Sequence, residues 1–380
     1  MSTFFQLPDT KPSALERFGV YYLNFFRKKD LTHTVFDFTD EEIARKVRKI
    51  AIKGILLSAI TGIILVFPTV WVDVLFANSS WYIHYGWVAG VTLLSVAVEF
   101  YLLFIIALKA VYEVSDVINM HAIPKDFLKS GVFSVKNILA RTALELPDPE
   151  LKILGIDPFK RISKKNLFIL GLFYKAKIFV SNFIVKYALK FSVGETLFGV
   201  PILYEALFVE AFWNGVVLDR VVKEARLRLF GFALANHIAE NVISNKLIEQ
   251  LTPEAKTGCM RAIGNAVVMA KNYHPNMIIL LLQFQDLLDV NDENKYDDWE
   301  LFLQTLKNVS EKERFFLLDL FTVSAAFDGR VSELEEENLH AAYGKDFKLY
   351  HPRLIQLTQY LKDGKLNAAY KLCNLDFVAG

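Results

Sequence analysis

The sequence predicts an all-α protein with three parts: an N-terminal transmembrane helical hairpin, a further membrane-associated helical pair, and a C-terminal soluble helical domain. Three observations carry that reading. The run Gly54–Val72 (GILLSAITGIILVFPTVWV) holds no charge, and Gly86–Leu108 (GWVAGVTLLSVAVEFYLLFIIAL) holds only Glu99; a helix needs roughly 17–25 apolar residues to cross the hydrocarbon core. Lys and Arg gather on one side of those two runs. From Phe230 onward, apolar residues recur at helical spacing with almost no strand-like alternation. Hydrophobic residues make up 53% of the chain and mean hydropathy is +0.29, more than a soluble helical core requires.

Residues 1–48 read as a cytoplasmic N-terminal segment with a short amphipathic stretch. Thr39 followed by Glu42 forms a capping-box pattern, and Asp40 and Glu41 place negative charge at the positive end of the helix dipole. The helix begun there runs into the first span of a hairpin covering 49–110. Lys53 and Asp73 bracket that span, and Pro68 sits near its end, where a kink is tolerated. The link Ala77–Tyr85 (ANSSWYIHY) is short and turn-like, so the spans run antiparallel. Phe67, Trp71, Trp81, Tyr82, Trp87 and Tyr101 lie in and around the apolar runs, and aromatic rings favour the headgroup level. Arg27, Lys28, Lys29, Arg45, Lys46, Arg48, Lys49 and Lys53 precede the first span, the link carries no Lys or Arg, and Lys109, Lys125, Lys129 and Lys136 follow the second. The positive-inside rule then places both termini in the cytoplasm.

Residues 111–165 read as a cytoplasmic linker, with LPDPELKILGIDPFKRIS broken by three prolines. The second apolar region, 166–230, leaves two topologies open. In Leu167–Val193 the polar residues Lys175, Asn182, Lys186 and Lys190 share one side of a helix, as in a helix lying in the interface. Thr196–Leu218 is long enough to span but contains Pro201, Glu205 and Glu210, and Arg220, Lys223, Arg226 and Arg228 follow it. A membrane-apposed or re-entrant pair, or two additional spans, satisfies this pattern.

A carboxylate in a span costs about 2.5–3.5 kcal/mol on insertion scales and marks a site by default. Glu99 is therefore either a functional group or a structural one, hydrogen-bonded to Ser58, Thr61 or another helix. Glu205 and Glu210 are five apart and face different sides of a helix. If all three line a polar path between four spans, the chain is a transporter or channel subunit.

Residues 231–380 predict helices near 231–250, 253–272, 275–289, 296–308, 311–327, 332–343, 351–361 and 365–374. Thr252-Pro253 with Glu254, and Ser310 with Glu313, are helix-start signals. In Phe327-Asp328-Gly329-Arg330-Val331-Ser332 an apolar helix ends, Gly329 suits a positive φ, and Ser332 with Glu335 caps the next helix. Through Asp328, Gly329, Val331, Ser332 and Glu335, Leu251–Gly380 resembles the TerB-like (tellurite-resistance-type) helical domains of bacteria. That resemblance implies an interaction module built of two related halves, whose acidic turns can hold a metal. Here Asp328 and Glu335 would supply the second half, whereas Lys271-Asn272-Tyr273-His274-Pro275 stands where the first acidic turn belongs. Separately, Pro201, Asn214, Val221, Val222, Ala225 and Phe230 resemble the apolar segment of EcsC-type membrane-associated proteins.

Asp289, Asn291, Glu293, Asp297 and Glu300 occupy positions 1, 3, 5, 9 and 12 of an EF-hand-like loop, with Asn294 in place of the usual glycine. That pattern offers a calcium or magnesium site, against a plain solvated acidic connection. The net charge of +1 leaves no basic field for nucleic acid. Cys259 and Cys373 stand alone, without zinc or redox spacing, and fit a reducing compartment. No phosphate loop or nucleophile elbow is present, and no catalytic residue is nominated. The expectation is a non-enzymatic protein of a bacterial inner (plasma) membrane. Its partners would be the bilayer and a protein or a second copy of itself, in an envelope complex or stress response.

Overall fold

The computed structural model describes residues 12–26, 38–118, 134–146, 156–157, 202–243, 245–271, 273–288, 290, 295–331 and 333–375. These form helices α1 (Ala14–Phe25), α2 (Asp40–Leu75), α3 (Trp81–Val117), α4 (Val135–Ala143), α5 (Ile202–His237), α6 (Asn245–Gln250), α7 (Pro253–Ala270) and α8 (Pro275–Leu288). The C-terminal part continues with α9 (Trp299–Asn308), α10 (Glu311–Ala326), α11 (Glu333–Tyr343), α12 (Phe347–Asp363) and α13 (Leu366–Leu372). The fold is all-α, with no strand among the described residues.

Helix α2 starts where the capping box requires. The Glu42 N–H donates to Thr39 Oγ1 at 3.3 Å, and the Thr39 N–H donates to the Glu42 carboxylate at 2.9 Å. The helix runs through the apolar run and past Pro68 to Leu75. The connection to α3 is shorter than the sequence implies. Trp81–Tyr85, expected in the link, instead forms the first turns of α3, because Ser80 sits in extended backbone at the N-cap. The hairpin is closed at its turn end by His84 and Asp73 (2.8 Å) and at its other end by Lys53 and Glu113 (2.9 Å). By length and composition both helices are able to cross a membrane. Only 17% of the most apolar window of each is buried, and Leu56, Ile64, Trp71, Leu93 and Leu94 are exposed.

Helix α5 packs antiparallel to α2. Gly54 lies against Leu218, Ile55 against Gly215, and Gly62 against Asn214 and Glu210. The residues that let it approach are Gly54, Ser58 and Gly62, buried at four-residue spacing on one face of α2. Small side chains there bring backbones together by dispersion contacts that larger ones prevent. Past Leu218 the same helix enters a different environment: Val221, Val222, Ala225, Leu229, Phe230, Leu234 and Ala235 are all buried. The α5 helix thus does not stop near residue 230, and the single helix expected at 231–250 is three pieces. The last turns of α5 reach His237, a π-helical turn covers Ile238–Val242, and α6 follows.

The C-terminal helices pack around α5, α7 and α10. In α10 every residue from Phe316 to Ala326 is buried, as for a helix enclosed on all sides. Its capping box, Ser310 with Glu313, and the Thr252 cap of α7 form as the sequence predicts. Helix α12 starts at Phe347 rather than near His351, because Phe347 stacks on His340 and Pro352 is accommodated inside the helix. Cys259 and Cys373 are free and buried, and burial pushes both thiols up. The segment read as a linker contains α4, whose residues Asn137–Ala143 are all buried beside α1 and α3. The stretch Leu167–Val193 lies outside the described residues.

Candidate functional site

Where α5 crosses the hairpin, polar side chains meet inside an otherwise apolar seam. Glu99 on α3 is 5% exposed and accepts a hydrogen bond from Asn214 Nδ2 on α5 at 2.7 Å. Glu210, one turn above Asn214, is also 5% exposed. Gly62 faces both residues: a Cβ there would stand 2.5 Å from Asn214 Nδ2 and 3.1 Å from Glu210 Cγ. Ser58, one turn earlier on α2, is fully buried, and its Oγ finds no hydrogen-bond partner among the described residues. Thr61 donates to Leu57 O at 2.8 Å, along its own helix. Of the alternatives for Glu99, the bond is therefore to another helix, and Asn214 supplies it. Asn214 was singled out in the sequence only through the EcsC-type pattern. Its link to Glu99 had one legible sign, the small residues 54, 58 and 62 that make room for a third helix. Glu205 lies in the first turns of α5, with its side chain outside the described residues.

The Asp-Gly turn ends α10 as expected. Gly329 has φ +72°, and Asp328 Oδ1 accepts the Arg330 N–H at 2.9 Å, an Asx turn. The turn is docked onto α5: Gly329 abuts Leu227, and Asn276 donates to both Leu227 O (3.1 Å) and Phe327 O (3.0 Å). Alongside lies a charged group that sequence spacing did not reveal. Glu224 is bonded to Arg228 at 2.7 Å and lies 4.0 Å from His274. Burial pushes its carboxyl up, but Arg228, His274 and Arg330 more than offset this and hold it below the usual range. The side chain of Glu335 and the cap residue Ser332 lie outside the described residues.

In the acidic loop, Asp289, Asn291, Glu293 and Asn294 lie outside the described residues. Asp297 is 5% exposed and accepts the Asp157 N–H at 3.3 Å, whereas Glu300 is exposed in the first turn of α9. Asp297 thus faces inward and Glu300 outward. Among the described residues no group of three or more His, Cys, Asp or Glu is placed to hold a metal ion.

His237 ends α5, away from that seam and within the C-terminal domain. Its ring stacks on Tyr370 with centroids 3.6 Å apart, and burial pushes its pKa down to about 4. The unfolded chain takes up this proton near pH 6.5 and the folded chain does not, so stability present above that pH is lost as pH falls from 6.5 toward 4. The expected loss is about 1–3 kcal/mol over this window. Chemical denaturation at several pH values checks it, with a flatter profile expected for His237→Gln.

The class these features define is an all-α protein in which a long apolar hairpin is joined by one continuous helix to a compact helical domain. Comparison with protein-family models, with curated proteins and with solved structures found no match.

Proposed function

We propose that this chain is a multi-pass bacterial plasma-membrane protein whose hairpin anchors a cytoplasmic, non-enzymatic, TerB-like helical domain that binds a protein partner. One observation carries the reading: the apolar windows of α2 and α3 are only 17% buried. The core helix of a soluble protein would be largely covered. Exposed Trp71, Trp81, Tyr82, Tyr85 and Trp87 gather at the turn end, in the manner of an interfacial aromatic belt. Arg45, Lys46, Arg48 and Lys49 at the opposite end favour a cytoplasmic placement of the domain.

The Asp328-Gly329 turn with its positive φ supports the TerB-like reading. Ion sensing there has less support, because Asp328 Oδ1 is already engaged by Arg330. Partner binding has a candidate surface: a cleft of about 700 Å³ bordered by Leu247, Leu251, Lys312, Phe315, Phe316 and Leu375. The bond between Glu99 and Asn214 favours an anchor over a transport path, because it ties the helices together.

Single cysteines at Ser79, in the hairpin turn, and at Lys345, in the C-terminal domain, test the arrangement in intact cells. An impermeant maleimide should label only the first, since the two native thiols are buried. Labelling of both positions, or of Lys345 alone, overturns the topology. A photo-crosslinking residue at Lys312 should then yield a discrete adduct that one at Lys223 does not; equal patterns would remove the cleft from the proposal.

A further inference from the structure

Helix α1 is clamped to the protein along one side. The Arg141 side chain, 1% exposed, pairs with Glu16 at 3.3 Å, Gly19 sits against Ala140, and Leu23 is buried. At about 100° per residue, the opposite side holds Asn24, Arg17, Tyr21, Phe25 and Phe18 in angular order. Asn24, Arg17, Tyr21 and Phe25 are exposed and Phe18 is partly so. The exposed face therefore grades from a polar edge, where Lys136 donates to Asn24 Oδ1 at 2.6 Å, to an aromatic edge.

That aromatic edge adjoins the exposed belt of the hairpin. The Tyr22 and Tyr101 hydroxyls are 2.5 Å apart, and Phe18 packs on Tyr101 with ring centroids separated by 6.3 Å. Tyr101 lies at a boundary on α3: residues before it are largely exposed, whereas Ala107, Leu108, Ala110 and Val111 are covered by protein. Tyr21 and Phe25, 58% and 67% exposed, stand beside this rim with ring centroids 4.8 Å apart. An amphipathic helix with a graded face of this kind binds in the plane of a lipid interface, rings toward the acyl chains and polar groups toward water.

We infer that α1 is an interfacial helix lying in the cytoplasmic headgroup layer, with Tyr21 and Phe25 immersed in lipid and Arg17 and Asn24 at the aqueous edge. The inference rests on the transmembrane reading of the hairpin. It makes the bilayer, rather than the cytoplasm, the partner of α1.

Spin labels on single cysteines at Arg17, Tyr21, Asn24, Phe25 and Leu93 test it in the full chain, reconstituted in phosphatidylcholine–phosphatidylglycerol vesicles. The ratio of collisions with oxygen to collisions with a water-soluble nickel chelate should be severalfold higher at 21, 25 and 93 than at 17 and 24. Water-like ratios at 21 and 25 with a lipid-like ratio at 93 would overturn the inference alone. Shielding of 21 and 25 from both reagents would overturn it too, by showing a protein cover. A water-like ratio at 93 would overturn the membrane reading, and this inference with it.

Discussion

Asn214→Leu is expected to lower the stability of the full chain in detergent by about 1–3 kcal/mol, the cost of leaving a buried acceptor without its donor. The substitution leaves Glu99 without the donor at 2.7 Å while changing little in volume. Because the seam around Gly62 is tight, no room exists for water to replace the amide. Glu99→Leu in the Asn214→Leu background should cost less than the two single substitutions added together, since donor and acceptor are then removed as a pair. The two single effects and the double effect form a cycle whose coupling energy isolates the bond. Additive effects, measured by SDS or thermal unfolding, would show that the bond contributes nothing to holding α5 on the hairpin.

Asn276→Leu should be at least as severe, at about 2–5 kcal/mol, because two buried carbonyls lose their donor together at about 1–3 kcal/mol each. Asn276 is fully buried and reaches Leu227 O on α5 and Phe327 O at the end of α10. Its loss should loosen the Asp328-Gly329 turn from α5 before it loosens the hairpin. Hydrogen exchange would register this as faster opening of α10 and α11, with α2 and α3 unchanged. Uniform acceleration across the chain would instead mean that the turn and the hairpin unfold as one unit.

What the sequence made legible follows from signal length. The hairpin was plain because two apolar runs are long enough to be unambiguous, and Thr39, Thr252 and Ser310 marked helix starts through local bonds three residues apart. Gly329 was readable because positive φ is a single-residue property. Residues 231–250 misled because α5 begins upstream and its apolar character is continuous across residue 230, so periodicity offered no break. The partner of Glu99 left only an indirect sign, the small residues at 54, 58 and 62 that admit a third helix without naming it. Asn214 lies 115 residues away, and only the third dimension joins them. The Glu224, Arg228 and His274 group was hidden for the same reason: only its i,i+4 pair is a sequence-local pattern.

Helix α5 has 36 residues and no interruption. At about 1.5 Å per residue it is about 54 Å long. A stiff rod of that length transmits displacement, so a tilt of the half packed on α2 and α3 must swing the other half by a comparable amount. That other half is the axle on which α8, α12 and α13 ride. The hairpin and the C-terminal domain are thereby geared to each other through a single rod.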